Sequence, residues 1–306
     1  MNFLSDPVAY AIPFFVLSIL AEWYVAYREH HDWYNDPKDS IASIVMGIGS
    51  VVINFGMKAL AFAVYYALYQ YRLFDLGGHW WVWVLLLFAD DFTFYWHHRL
   101  SHEVRMLWAA HVNHHSSQKY NFTTALRQSW GEELYKYGWW IWLPLLGFHP
   151  LMIMTMQSIS LVYQFLLHTQ TVKKLGFLEL FMNTPSHHRV HHGSNAAYLD
   201  RNHAAIFIIW DKLFGTYRPE DEQVPVEYGI VSNIHTYNPL HIATHEFSAL
   251  WRDMKNAKTW RETVLYALMP PGWQPAGQGK TSKVLRDEWL QKQNSEQGRA
   301  GGSKEQ

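Results

Sequence analysis

Eight histidines in three short clusters carry the chemistry that this chain states most directly. His98-Arg-Leu-Ser-His102 places two imidazoles at i and i+4, while His111-Val-Asn-His114-His115 and His188-Arg-Val-His191-His192 each hold three. On a helix, residues three and four apart share a face, so each cluster can aim its nitrogens at one point. Eight imidazoles exceed the three or four that one metal takes; they suit two metals, each keeping a position open for O2 or water. The 306 residues include no Cys, which excludes thiolate sites, disulfides and Cys nucleophiles. Any transition metal must therefore be held by imidazole or carboxylate.

A bland reading competes at every position. One H-x-x-x-H arises readily by chance in a chain with 19 histidines, and a histidine near a membrane end is commonly a satisfied interface residue. Two copies of H-x-x-H-H beside one H-x-x-x-H, all adjoining apolar stretches, do not arise that way. His241 and His245 also stand at i and i+4, but they follow Pro239 far from any apolar stretch and are read as surface residues. His30 and His31 fall in a loop between spans and His149 in a turn. His97 and His187 each precede a cluster residue and are assigned to another helix face, although His187 is i, i+4 to His191. His168 ends the fourth apolar stretch, where it can approach from the membrane side, and it is counted as a ninth ligand; His203 is not counted.

A metal-bound imidazole usually donates its other N–H to a carboxylate or carbonyl. Asp91 lies seven residues before His98, two turns away on the same face, and is expected to serve there. Glu103 directly follows His102, and its readings as a site residue and as a solvated interface charge weigh equally. Asp91 and Glu103 are the two candidate catalytic carboxylates. Glu132 and Glu133 read as an ordinary polar face.

These clusters need elements to hold them. Apolar stretches run from Val8 to Ala26, from Ile41 to Tyr69, from Trp80 to Trp96 and from Trp139 to Leu167. A membrane span needs roughly 20 apolar residues. The first stretch lacks a basic leader and a small-residue cleavage site, so it reads as a membrane helix rather than a signal peptide. The second is long enough to tilt or to bend at its glycines. The fourth carries Pro144, Gly147 and Pro150, which predict a kinked span or a hairpin of two shorter helices. Sixteen Trp and an aromatic share of 17% suit a membrane interface. A mean hydropathy of −0.18 is too low for a chain that is membrane throughout.

Arg99, Arg105, Lys119, Arg127 and Lys136 follow the third stretch, and the part after residue 170 is richer still in Lys and Arg. The positive-inside rule then places both, with the metal site, at the cytoplasmic face; the Asn121–Thr123 sequon would face the same side and stay unglycosylated. A net charge of −1 offers no argument for nucleic acid. The expected fold is all-α and integral to the membrane, with four or more transmembrane helices capped by a cytoplasmic helical histidine-rich di-metal domain. Its parts would be N-terminal membrane helices over 1–96, a histidine-motif region over 97–217 with a membrane hairpin at 138–168, and a cytoplasmic extension over 218–306. In that extension Val284, Leu285, Trp289 and Leu290 predict a short surface helix, and the last dozen residues are expected to be disordered.

The order and spacing of the three clusters resemble the fatty acid hydroxylase/sterol desaturase superfamily. Asp91 and Tyr95 leading into His98-Arg99 resemble it too, as do Asn121, Thr124 and Arg127 after the second cluster. So do Asp200-Arg-Asn202 and Trp210-Asp211-Lys-Leu-Phe214-Gly215-Thr216 after the third. The resemblance covers roughly residues 85–217. Within the superfamily the His102-Glu103 pair is similar to alkylglycerol monooxygenase-like bacterial members, a branch with a functional Glu after the first motif. This implies two Fe ions, O2, a membrane lipid substrate and hydroxylation beside an ether oxygen, with tetrahydropterin as reductant. The chain is short for that branch, and His203 stands where a Tyr is expected after Asn. The reductant, tetrahydropterin or an electron-transfer protein, and the lipid therefore stay open.

Three rivals stand beside the hydroxylase. A Zn-dependent membrane lipid hydrolase or isomerase would use the same clusters without O2. A desaturase would share every ligand and differ only in how the substrate carbon sits. A transport protein would need ionisable residues deep in several spans, where only Glu22, Asp90 and Asp91 come near, and it ranks last.

Overall fold

A computed structural model describes residues 7–29 and 36–302, with side chains to residue 296; His30 and His31 lie outside the described residues. Described residues are helical, apart from loops and one isolated antiparallel bridge between Gly193 and Tyr228. In chain order the helices are α1 (Pro7–Glu29), α2 (Pro37–Tyr69), α3 (Trp80–Glu103), α4 (Arg105–His115), α5 (Trp130–Glu133) and α6 (Trp142–Leu146). They continue with α7 (Pro150–Leu167), α8 (Pro185–His191), α9 (Ile209–Phe214), α10 (Pro239–Asn256), α11 (Trp260–Leu268) and α12 (Ser282–Gly302).

The starts of these helices are written locally. Asp36 accepts bonds from the Lys38 and Asp39 amides ahead of Pro37, and Asn238 does the same for Leu240 and His241 ahead of Pro239. In each case the cap meets amides that the helix leaves unpaired, and proline fills the position where no N–H is needed. His149 caps α7 in the same way, its Nδ1 accepting from the Leu151 amide at 3.2 Å.

α1, α2 and α7 are long and apolar enough to cross a membrane. α3 is not among them, because from its middle onward it carries Asp90, Asp91, His97, His98, Arg99 and His102. The expected four or more spans are thus three by length and composition. The outward surface nonetheless stays apolar along all the N-terminal helices. Phe14 and Leu17 on α1, Val52 and Phe55 on α2, and Trp80 and Leu85 on α3 are exposed. A water-facing protein does not leave such a belt uncovered.

The glycines of α2 do not bend it, for the helix runs unbroken to Tyr69. They permit close approach instead: a Cβ at Gly47 would meet Leu126, and one at Gly49 would strike the Trp130 ring. The fourth apolar stretch is broken in two. α6 ends at Gly147, whose φ of +114° favours glycine, and α7 starts three residues later. Only the α7 arm is long enough to span. Between α2, α3, α6 and α7 lies the main apolar core, with Tyr65, Leu86, Leu143 and Ile153 at its centre. Glu22 is buried, accepts a 2.8 Å bond from the Phe122 amide and so ties α1 to the histidine-bearing end. α12 continues to Gly302, through most of the segment expected to be disordered, and residues 303–306 lie outside the described set.

Candidate metal centre

α3 and α4 pack against each other on either side of Val104, which brings the first and second clusters together; α8 adds the third, and the end of α7 adds His168. The nine predicted histidines meet in two groups. His98, His102, His111, His115 and His191 form one; His114, His168, His188 and His192 form the other, each group with ligand atoms mutually within 4.8 Å. All nine are buried.

The clusters are not each aimed at one point, as the motif spacing had led one to expect. His111 and His115, at i and i+4, serve the first group, while His114 between them serves the second. In α8 the pattern reverses: His188 and His192 serve the second group, and His191 serves the first. The i, i+4 pair stays on one helix face, and the residue at i+3 is rotated about 60° from i in the opposite sense to its i+4 neighbour, enough to reach an adjacent point.

The outer ring nitrogens show which atoms face inward. His98 Nδ1 donates to the His203 carbonyl at 2.8 Å, His111 Nδ1 to Glu132 Oε2 at 2.9 Å and His191 Nδ1 to the Arg201 carbonyl at 2.9 Å. In the second group His114 Nδ1 donates to the Arg127 carbonyl at 3.3 Å and His168 Nδ1 to the Gln164 carbonyl at 2.8 Å. These acceptors assign the proton to Nδ1 and leave a bare lone pair on Nε2. Yet His98 Nε2 and His111 Nε2 stand 3.1 Å apart, and so do His114 Nε2 and His168 Nε2. Two lone pairs at that separation repel unless a cation lies between them. The Nε2 atoms of His102, His191 and His192 have no hydrogen-bond partner at all. The donor set fits two imidazole-bound metal ions, one per group.

Burial holds the imidazoles of His114, His115, His188, His191 and His192 well below their ordinary pKa, with neighbouring imidazoles adding to the effect. They are therefore neutral and ready to ligate at physiological pH. The same burial sets a pH dependence. The unfolded chain protonates these rings below the ordinary value of 6.5, while the folded chain does not; His187 folds with its pKa pushed down to about 4. Stability is then full above about 6.5 and falls as the pH drops through that window towards 4. His187 alone accounts for roughly 3 kcal/mol of that loss. Thermal unfolding of metal-free protein across pH 7.5 to 4 should show the fall, and a flat profile would contradict it.

The carboxylate that orients an imidazole is Glu132, not Asp91. Seven residues along a helix amount to about 10 Å, too far for Asp91 to reach the His98 ring. Asp91 instead accepts from the Ile206 and Phe207 amides and from Trp210 Nε1, at 2.8, 2.9 and 2.9 Å. With Asp211, which accepts from the His203 and Ala204 amides, it clamps the loop whose carbonyls hold His98 and His191. Of Glu132 and Glu133, both read from sequence as a polar face, only Glu132 meets the histidines; Glu133 is buried, accepts from Ser50 Oγ at 2.8 Å and pairs with Lys136. The serine cap and short length of α5 gave no helical pattern to reveal this. Glu132→Gln should weaken metal binding at the first group about tenfold to a hundredfold, as read by chelator competition.

Glu103 touches no imidazole by a hydrogen bond. It pairs with Arg99 at 2.9 Å, and Arg99 bonds Tyr95, Tyr95 bonds Thr216, and Thr216 bonds Asp211. That chain ends on the clamped loop, so Glu103 reaches His98 only through intermediaries. His97 and His187 stay outside both groups, beside Glu132 and Glu179 at 3.5 and 4.0 Å. His241 is exposed as expected, but His245 is half-buried and lines a cavity of about 390 Å³ that opens onto His102, His115 and His191.

Residues 83–216, the histidine-bearing region, match the fatty acid hydroxylase family. Alkylglycerol monooxygenase of Homo sapiens is 37% identical over 93% of this chain and 63% of its own length. That of Xenopus tropicalis is 34% identical over 89% of this chain and 60% of its own. The chain thus spans about three fifths of these relatives. Cholesterol 25-hydroxylase of Homo sapiens is 28% identical over 70% of the chain and 81% of its own length. No solved structure matches.

Proposed function

We propose that the chain is a membrane-bound non-haem di-iron oxygenase that hydroxylates a lipid C–H bond. The observation that carries this reading is the pair of all-imidazole groups whose bare Nε2 atoms face each other at 3.1 Å. Iron rather than zinc follows from the redox cycling that hydroxylation requires, and iron bound there would supply O2 activation. The protein supplies the rest: neutral imidazoles in fixed tautomers, Glu132 orienting His111, and a loop clamped by Asp91 and Asp211 orienting His98 and His191.

The relatives named above are all lipid oxygenases by name, which supports a lipid substrate. In this reading it is an alkylglycerol-type lipid attacked at the ether-linked carbon, with a fatty acyl or sterol substrate as the alternative. The exposed apolar belt on α1, α2 and α3 favours access from the bilayer. We place α3 as a fourth span, giving membrane helices over 1–96, the catalytic region over 97–217 and a cytoplasmic extension over 218–306. The Lys and Arg bias after α3 puts the metal centre at the cytoplasmic face. Reducing equivalents come from tetrahydropterin or an electron-transfer protein.

Metal content and O2 uptake, measured together on protein in mild detergent with reductant and a lipid mixture, test the reading. About two irons per chain with lipid-dependent O2 uptake are expected. Zinc alone, with no uptake after iron reconstitution, would favour the hydrolase; an alkene product would favour the desaturase.

A further inference from the structure

α10 and α11 pack together and present an exposed apolar stripe. On α10, Leu240, Phe247 and Trp251 are spaced seven and four residues apart and so share one face; on α11, Trp260, Val264 and Leu268 share one at spacings of four. All six side chains are exposed, Trp251 by 68% and Trp260 by 80%. The other side of α10 is used in packing, where Ile242 and Ala243 are buried with Ala42 and Met46 of α2.

The charges of the pair are sorted as well. Of its three acids, Glu246 and Asp253 both meet Arg105, at 2.8 and 2.7 Å, and Glu262 accepts from the Lys258 amide at 2.8 Å. Its four cations, Arg252, Lys255, Lys258 and Arg261, are all exposed, and two of them directly follow the exposed tryptophans. Exposed Trp beside exposed Lys and Arg complements a surface that offers hydrocarbon and negative charge together.

Position in the fold is an independent observation. Ala42 and Met46 lie in the first three turns of α2, a helix long and apolar enough to cross a membrane, and Ile41, Val45 and Ile48 of the same turns and the next are exposed. The pair therefore stands where the apolar belt of α2 begins. Tyr237 Oη donates to Asp36 and fixes the start of α10 to the start of α2. The Arg105 amide donates to the Met269 carbonyl and fixes the end of α11 to the start of α4.

We propose that α10 and α11 form an interfacial membrane contact, in which the Trp251 and Trp260 rings enter the headgroup region and the four cations meet anionic phospholipid. This rests on the reading of α2 as a membrane span and not on the metal chemistry. The extension after residue 218 is then seated on the leaflet rather than free of it. His245, Glu246, Asp253 and Tyr266 of the same helices line the cavity beside the first histidine group, so the contact also fixes that wall relative to the lipid surface.

The chain has no Cys, so one introduced thiol can be labelled alone. Full-length Val264→Cys carrying a nitrobenzoxadiazole dye is placed in phosphatidylcholine nanodiscs, with and without phosphatidylserine, and with and without nitroxide-labelled lipid. Phe55→Cys, on the exposed face of α2, is the membrane control, and Asn294→Cys, exposed on α12, is the aqueous one. Nitroxide lipid should quench the dye at 55 and at 264 but not at 294, and quenching at 264 should deepen with phosphatidylserine. Changing Arg252, Lys255, Lys258 and Arg261 together to Gln should remove the phosphatidylserine increment, as should high salt. Trp251→Ser with Trp260→Ser should reduce quenching at 264 to the level seen at 294. These positions are exposed, so the variants should keep the parent's melting temperature. A dye at 264 left unquenched in both lipid mixtures, with the dye at 55 quenched, would overturn the proposal while keeping the span. Quenching at 264 indifferent to phosphatidylserine and to the four Gln changes would overturn the assignment of anionic lipid. A dimer in detergent that the two Trp→Ser changes dissociate, with no quenching at 264, would assign the stripe to a second copy instead. No quenching at 55 would overturn the span and the contact together.

Discussion

His114→Ala is expected to lower the iron content of the purified chain from about two ions to about one and to abolish lipid-dependent O2 uptake. His114 is one of only four imidazoles in the second group, with its Nε2 3.1 Å from His168 Nε2. Removing it leaves three nitrogens and a cavity that water enters. Its chain neighbours His111 and His115 belong to the other group, so the first site should keep its metal. His115→Ala should show the converse, losing the first ion and keeping the second. Metal analysis of the two variants side by side checks the sorting. Loss of both ions from His114→Ala would show one cooperative centre, and retention of both would remove His114 from the ligands.

The second large effect concerns stability. Arg127 is 1% exposed and meets Asp39 Oδ1 on α2 at 2.5 Å, with Ser43 and Ser116 taking further bonds. Its carbonyl accepts the hydrogen bond from His114 Nδ1. Asp39→Ala leaves a guanidinium buried without its counter-charge, which costs about 3–5 kcal/mol. The melting temperature of the metal-free protein should drop accordingly, and affinity at the second site should fall with it. Adding Arg127→Met should recover much of the stability, because the uncompensated charge is gone. A single variant as stable as wild type would show that the pair contributes nothing.

Eight of the nine grouped histidines were legible because helical spacing is a local property, His168 because it ends an apolar stretch, and the break at Gly147 because of its residue type. What spacing could not show was how the clusters divide. That depends on how α4 and α8 are rotated against α3, which long-range packing decides. Asp91 misled for a related reason: sharing a helix face with His98 is local, whereas reaching it is a matter of distance. Glu132 read as a polar face because it sits on a four-residue helix without periodicity, and is brought to His111 where Gly47 and Gly49 pack against the 126–130 segment. Span counting stopped short at α3 because the residues that make it functional are those that lower its hydropathy.

The cavity beside His245 has a kinetic corollary. Its lining includes His102, His115 and His191, and none of the second group's four histidines among the described residues. With an ion in each group, as proposed, a small hydrophilic chelator would meet the first through this cavity, while the second would lie among four histidines that are all buried. The two ions should leave in separate phases, the fast one set by diffusion into the cavity and the slow one by local opening of the fold. Partly stripped preparations would then be enriched in a single-metal form with the second site filled, so that metal content and activity need not decline in proportion.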